Sequence, residues 1–397
     1  MSDQTPFFSF PSLKDWSLSA TLAGILASTM GYAGPLVILF QVAESSNLND
    51  TVLISWIWGM SIASGLLCGW FSLRYRMPLL FAWNAPGSAL LVTLVPGIPW
   101  SDVIGAYIMS GSILLFLGVT GLFERLVNRL PLTLAAALLA GILVNFSLAL
   151  FSEMTQSPLL GLVMFSAYII LRHLLPRYAI MLTIAVGVGV LAIIYDLSFH
   201  QVEWQISTPH WYMPSFSLTA LFSISLPLML VAVSGQFIAG IAILRQDKYL
   251  PPSNQIVAGS GLMSILFAPT ACHGVNLSAI TAAICTGSDA NYDSKKRYIG
   301  PVVAMLCYFM FGIFSAALVG VVQAFPTVFI AMVAGIALLG ALEGSLSQAL
   351  SQPAEREAAL CTFLITASDL MLLGLSSAFW GLVIGGSIIF VQRYLTK

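Results

Sequence analysis

The chain has 397 residues, 58% of them hydrophobic and 8% charged, with a net charge of −1 and a mean hydropathy of +0.94. Globular domains carry about 25% charged residues, so this composition excludes a water-soluble fold. A net charge near zero also gives no electrostatic footing for nucleic acid.

Positive charge sets the topology. The fifteen Lys and Arg residues sit at Lys14, Arg74/Arg76, Arg125/Arg129, Arg172/Arg177, Arg245/Lys248, Lys295 to Arg297, Arg356 and Arg393/Lys397. Each neighbouring pair of sites is separated by an apolar stretch long enough for two bilayer crossings. Cytoplasmic loops collect Lys and Arg, so each of the seven gaps holds two spans. That predicts an all-α integral membrane protein of fourteen transmembrane spans, multi-pass, with both termini cytoplasmic. The stretch through Asp3, Phe7, Pro11 and Lys14/Asp15 does not read as a secretory signal.

A crossing takes about 20 residues. In chain order the spans are expected at 17–41, 52–73, 79–95, 103–122, 131–152, 158–171, 178–195, 216–244, 251–267, 270–286, 299–323, 326–343, 358–373 and 377–392. The third, sixth, ninth, tenth, thirteenth and fourteenth are short. Such spans survive only when buried by other protein or broken around a cavity. The connections assigned to the outer face carry Glu44, Asp50, Asp102, Glu153, Asp196 and Glu203 and no basic residue. The longest, 196–215, holds Trp204, Trp211 and Tyr212, as expected of a segment resting at the interface. Cys68, Cys272, Cys285, Cys307 and Cys361 lack metal-type spacing and read as packed thiols, with no metal site.

The chain divides near residue 205 into seven-span halves, 1–205 and 206–397. An odd count makes the second half enter from the opposite side, so the repeat is inverted. The third span of each half is short, polar and interrupted by Gly and Pro. One holds Asn84-Ala85-Pro86-Gly87-Ser88 and the other Pro269 through Asn276. Matched breaks of this kind point to a transporter's binding site. Pro78 and Pro86 disfavour a continuous helix, so an extended segment followed by a half-helix from Pro86 is expected. Its counterpart begins near Asn276, capped by that side chain. Two helix N-termini then meet at the midplane, each with free N–H groups and about half a positive charge, a site for an anion. The plainer alternative is a pair of kinks relieved by packing.

The candidate substrate-binding residues are Tyr32, Asn84, Ala85, Gly87, Ser88, Gln236, Cys272, His273, Gly274 and Asn276. His273 is the one histidine placed within a span. A group that titrates near neutrality at membrane depth is a candidate for proton coupling; the alternative is a neutral ring bonded to a carbonyl freed by the break. Gln236 lies among Ser234, Gly235 and Gly240, a face that close helix packing also explains. Gln41 is a weaker candidate. Asp369 and Glu343 read as interfacial, with Asp369 an alternative proton carrier, and His173, His200 and His210 fall in loops.

At these residues the sequence resembles the benzoate:proton symporter (BenE) family over essentially its full length. The resemblance is carried by Pro78-Leu79, Ala82 through Leu91, Leu122-Phe123-Glu124-Arg125-Leu126, Pro269 through Leu277 and Thr281 through Gly287. More remotely it is similar to uracil and xanthine permeases and anion exchangers. The resemblance implies a core domain of spans 1–4 and 8–11 moving against a gate of spans 5–7 and 12–14, with proton-coupled uptake of an aromatic carboxylate across a bacterial inner membrane. In the uracil-permease relatives acidic residues of spans eight and ten hold substrate and couple protons. Here His273 and Gln236 fall at those positions, and neither is acidic. Phe237-Ile238-Ala239 also departs from the Asn-Leu-Pro expected after the glutamine.

The expected mechanism places a carboxylate between the half-helix ends near Gly87-Ser88 and Gly274-Asn276, with Tyr32, Trp83 or Phe237 against the ring. No cofactor is expected beyond the proton as coupling ion. The partners are a small aromatic carboxylate and the lipid bilayer, with a homodimer left open. The alternatives are a carrier or exchanger of another organic anion or a nucleobase, and an ion channel, which needs a continuous polar lining. An enzyme pairing Cys272 with His273 is disfavoured, because neighbours in an extended segment point to opposite sides.

Overall fold

Apolar helices make up most of the computed structural model, which describes residues 11–127, 132–176, 178–194, 202, 204–278, 281–287, 290–368, 370, 372 and 377–395. The first half contains α1 (Leu18–Ser45), α2 (Asp50–Tyr75), strand β1 (Phe81–Trp83), α3 (Ala85–Leu94), α4 (Trp100–Val119) and the short α5 (Leu122–Val127). It continues with α6 (Leu132–Glu153), α7 (Pro158–Leu174) and α8 (Ala179–Ile194). The second half opens with α9 (Leu218–Arg245). Then come α10 (Ser253–Phe267), β2 (Val275–Leu277), α11 (Ala282–Thr286), α12 (Ile299–Ile313), α13 (Ser315–Gln323), α14 (Thr327–Ala349), α15 (Arg356–Ala367) and α16 (Ser377–Leu395). Among the described residues six helices are long and apolar enough to cross a membrane, or seven if one bent pair counts as a span. His173 lies in the last turn of α7 rather than in a loop; Asp369 and His200 lie outside the described residues.

Side-chain caps start the first two long helices. Ser17 accepts the Ala20 N–H at 3.1 Å and Asn49 accepts that of Val52 at 3.1 Å, each satisfying one of the donors a helix start leaves open.

The two interrupted segments meet as a two-stranded antiparallel ladder, with Phe81 opposite Leu277, Ala82 opposite Asn276 and Trp83 opposite Val275. The first follows the expected course, with Pro86 in the opening turn of α3, where its missing N–H costs nothing. The second does not start a helix at Asn276. Ala268–Thr270 form a 3₁₀ turn, Ala271 takes a left-handed φ of 72°, and the chain then extends through Leu277. The ladder claims the Asn276 backbone, and the Ser278 N–H goes on to the Leu80 carbonyl at 2.8 Å. The helix therefore begins only at Ala282 and is five residues long. Its N-terminus is a far weaker dipole than a full half-helix would supply.

The segment expected as a straight span at 299–323 bends by 71° between α12 and α13. Ser207, from the long connection between the halves, occupies the break. Its N–H donates to the Ile313 carbonyl at 2.8 Å, and its Oγ accepts the Ala316 N–H at 2.9 Å. An insertion into the helical ladder is a recognised cause of a kink. The same connection is bonded by Tyr212 to the Pro269 carbonyl and by Ser215 to that of Ser101, with Trp204 and Trp211 exposed.

In one group of helices α2 packs on α12, α4 on α10, and α1 on α3 and α12. In the other, α6 packs on α14 and α15, α7 on α8, and α15 on α16. Absent side chains set the α4–α10 distance: a Cβ on Gly118 would lie 2.4 Å from the Ala258 nitrogen, and one on Gly261 2.4 Å from that of Leu115. Small residues allow backbones this close, and close packing drives helix association in lipid. At the basic end Arg76 pairs with Asp15 at 3.3 Å and lies 4.4 Å over the Tyr298 ring. The Tyr298 hydroxyl donates to the same carboxylate at 2.8 Å. That bond, with the Arg76 charge, holds the Asp15 carboxyl below its ordinary range.

Candidate functional site

A cavity of about 100 Å³ lies on the seam between the two helix groups. From one side it is walled by Met30, Gly31 and Pro35 of α1, Ala82 and Trp83 of β1, Gln236 of α9, and Ser278 and Thr281. From the other come Ile180 of α8 and Ala337 and Leu338 of α14. Its volume is two thirds of the roughly 150 Å³ in which an engineered protein cavity holds benzene, close to the size of one ring.

Local backbone chemistry explains why polar groups face so apolar a space. Pro35 inside α1 has no N–H, so the helix supplies no i+4 partner for the Gly31 carbonyl. α9 widens into π-turns at Leu221–Ser225 and Val233–Phe237. The second, closed by the Ile238 N–H on the Val233 carbonyl, carries Gln236 to the cavity; π-turns recur at functional sites. Ser278 and Thr281 share a hydroxyl–hydroxyl bond of 2.5 Å. The aromatic wall is Trp83, held edge-on by Tyr32 at 4.4 Å between ring centroids, with an interplanar angle of 86°. Tyr32 is anchored by its hydroxyl to Ser61 and packs on Phe311 at 4.5 Å.

The remaining candidates form a second layer that does not line the cavity. His273 links three elements. The Trp56 indole N–H donates to its Nδ1 at 2.9 Å, and Ser88 Oγ lies 3.0 Å from its Nε2. Ser88 Oγ also meets the Asn84 carbonyl at 3.1 Å. An indole N–H can only donate, so Nδ1 is an acceptor. Ser88 gives its single proton to Asn84, so Nε2 carries the hydrogen. This tautomer is assigned from its partners, and the network is complete with a neutral ring. Gly274, at φ 130°, turns the chain from His273 into β2 through a region that side chains rarely enter.

Asn84 and Asn276 are 1% and 3% exposed, and both side-chain atoms of Asn84 and Oδ1 of Asn276 lack a hydrogen-bond partner. The Asn84 amide lies over Gly87, where a Cβ would come within 2.6 Å of its Nδ2. Cys272 is fully buried beside this layer, and Ala85 opens α3. Of the sequence candidates, then, Gln236 lines the cavity and Tyr32 supports its wall; Asn84, Gly87, Ser88, Cys272, His273, Gly274 and Asn276 stand behind it. Phe237 packs away on Phe123, and of the three aromatics expected against the ring Trp83 is the one that lines the cavity. Sequence reasoning missed Gly31, Pro35, Ser278, Thr281, Ile180, Ala337 and Leu338 as lining. A proline within a span, freeing the carbonyl four residues back, was the readable signal for the first two.

A wider cavity of about 430 Å³ lies further along the same α1–α14 seam, lined by Phe40, Gln41 and Glu44 of α1, Asp50, Glu153, and Thr327, Val328, Ile330 and Ala331 of α14 among others. Glu343, further along α14, is ion-paired with Arg172.

A multi-pass helical membrane protein with a small pocket on the seam of two helix groups has the form of a solute transporter, and the fold recurs in solved transporters. The transmembrane domain of the cyanobacterial bicarbonate transporter BicA matches with a TM-score of 0.64 and 14% identity, over 96% of this chain and 100% of that one. SLC26A9 matches with a TM-score of 0.63 and 14% identity, over 97% of this chain and 66% of that one. The chain belongs to the benzoate membrane transport (BenE) family, whose pattern it matches over residues 14–391. It is 38% identical to the Benzoate membrane transport protein of Acinetobacter baylyi, over 94% of each chain. It is 37% identical to the Inner membrane protein YdcO of Escherichia coli, over 92% of this chain and 93% of that one. Its relatives are named as membrane proteins and transporters, not enzymes.

Proposed function

We propose that this chain carries benzoate, or a similar single-ring aromatic acid, into the cell together with a proton across the bacterial inner membrane. The observation that carries this reading is the pocket itself: an indole wall, a ring-sized volume and three polar side chains grouped on one side. The relative named for benzoate transport and the relative named as an inner membrane protein support the substrate and the membrane. In this reading the ring lies along Trp83, and the carboxyl group meets Gln236, Ser278 and Thr281.

Fourteen crossings in two inverted halves give a core (spans 1–4 and 8–11) that moves against a gate (spans 5–7 and 12–14). The α2–α12 and α4–α10 contacts fall within the core, and the α6–α14, α7–α8 and α15–α16 contacts within the gate. The pocket takes walls from both, so sliding one group along the other would open it to alternate sides.

The test is uptake of labelled benzoate into proteoliposomes, with passive entry into protein-free vesicles subtracted. Saturable accumulation is expected with an inward proton gradient and not without one. Trp83→Ala is expected to raise the half-saturating concentration about 10- to 100-fold, because a ring contact adds about 0.5–1.5 kcal/mol to the area it buries. Saturable uptake indifferent to the gradient would remove proton coupling, and none with any aromatic acid would remove the substrate assignment.

A further inference from the structure

We infer that the coupled proton rides on the substrate's own carboxyl group: the pocket takes the neutral aromatic acid, not the carboxylate with a proton stored on the protein. The inference rests on the reading of the pocket as an aromatic-acid site. No Asp, Glu, His, Lys or Arg occurs among the described residues that line it. A carboxylate taken out of water needs a cation or a full set of donors, and an isolated one costs far more than a neutral polar group. The pocket offers mixed chemistry instead. Ser278 and Thr281 spend one proton on each other and keep one between them, and the unpartnered Trp83 indole N–H donates. The Gln236 amide donates and accepts, and Pro35 leaves the Gly31 carbonyl as an acceptor. A carboxylate only accepts; a carboxylic acid donates one proton and accepts in return.

The titratable and charged groups on the surrounding elements are spoken for or distant, except the Tyr308 hydroxyl. It has no partner and lies behind Gly31 but, as a phenol with an ordinary value of about 10, already holds its proton. His273 is held between Trp56 and Ser88, and a proton on Nδ1 would set two N–H groups against each other. Tyr32 is bonded to Ser61. Tyr308, on α12, and the thiols Cys68, Cys272 and Cys285 are buried outside the lining. Arg245 is about 14 Å along α9 from Gln236, and Glu44 about 20 Å along α1 from Gly31, at a rise of about 1.5 Å per residue. Glu343 on α14 is occupied by Arg172. α8 carries no ionisable side chain among its residues. The wider cavity on the same seam is lined by Glu44, Asp50 and Glu153 without a basic residue among its described lining, which repels an anion and admits a neutral acid. The proton balance is simple: the acid enters with its O–H bond intact, and dissociates to carboxylate and proton on release into the cytoplasm.

Equilibrium binding to the purified full chain in nanodiscs tests this without passive leakage. Benzoate and ring-substituted benzoates of graded acidity are titrated from about pH 5 to about pH 8, with benzamide as a neutral analogue of similar shape. The dissociation constant in total acid is expected to rise about tenfold per pH unit above each compound's own pKa. At fixed pH it should track that pKa across the series. Benzamide should bind with no pH dependence, and His273→Gln should keep the slope. A pH midpoint shared by every acid, a constant that does not change with pH, or loss of the slope in His273→Gln would each overturn the inference. Aromatic acids that fail to bind at any pH, with the protein folded by its melting transition, would instead refute the substrate reading, and the inference with it.

Discussion

His273 shows how one side chain ties together parts far apart in sequence. It joins Trp56 of α2 to Ser88 of α3 and so fixes where α3 starts, two residues after Trp83, which walls the pocket. His273→Gln can accept from Trp56 and donate to Ser88, and is expected to hold both stability and benzoate affinity near wild type. His273→Ala leaves two buried partners unmet at about 1–3 kcal/mol each, and should weaken binding and lower the melting temperature together. Rescue by Gln but not Ala, read as melting temperature and affinity, separates positioning from proton transfer. Asp15 gives a pH prediction. Its carboxyl is held below the ordinary range by the Tyr298 hydroxyl, then by the Ser12 backbone N–H and Arg76, so the charged form stabilises the fold. That contribution is full above the unfolded value and fades as pH falls through the lower folded value. Asp15→Asn should lower the melting temperature at pH 7 by about 1–2 °C, the scale of a partly exposed pair. The gap to wild type should close in acid.

Among the elements, two behave differently from uniform spans. The α12–α13 pair bends because a serine from another connection enters its ladder, and α9 changes pitch where Gln236 must face inward. Both put a polar contact where a straight helix would place apolar surface. The α4–α10 pair is the opposite case, a contact without slack. Gly118→Val would drive a branched side chain into backbone atoms 2.4 to 2.7 Å from its Cβ. An overpacking cost of about 1–3 kcal/mol or more is expected to appear as a melting temperature several degrees lower, with the protein still in the membrane. An unchanged transition would mean that the two helices do not pack this closely.

For the whole molecule, the placement of positive charge predicts sidedness that labelling can read. Lys295 and Gln156 are both exposed, at opposite ends of the charge pattern. In intact cells an impermeant maleimide should label Gln156→Cys from outside and leave Lys295→Cys unlabelled until the membrane is opened. The reverse pattern would invert the topology, and with it the assignment of the acid-lined cavity to the outer face. The division into two helix groups belongs to this scale as well, because the pocket exists only where α1, β1 and α9 face α8 and α14.

Sequence alone determined the membrane class and the places of the long helices, and it marked the two proline-flanked stretches that the structure pairs as strands. Hydropathy, Lys and Arg spacing and proline are properties of short stretches, and a bilayer acts on each stretch separately. The motif of Pro269 through Gly287 was enough to indicate the family. Only the tertiary structure decided which polar residues share a pocket. Asn84, His273 and Asn276 look equivalent to Gln236 as polar residues within spans. The strand ladder and the indole of Trp56 turn those three toward the interior of one helix group, while a π-turn sends Gln236 to the seam. Strand pairing between residues nearly 200 apart, and the choice of which hydrogen-bond partner each buried group finds, depend on the packed whole and leave no mark in local pattern.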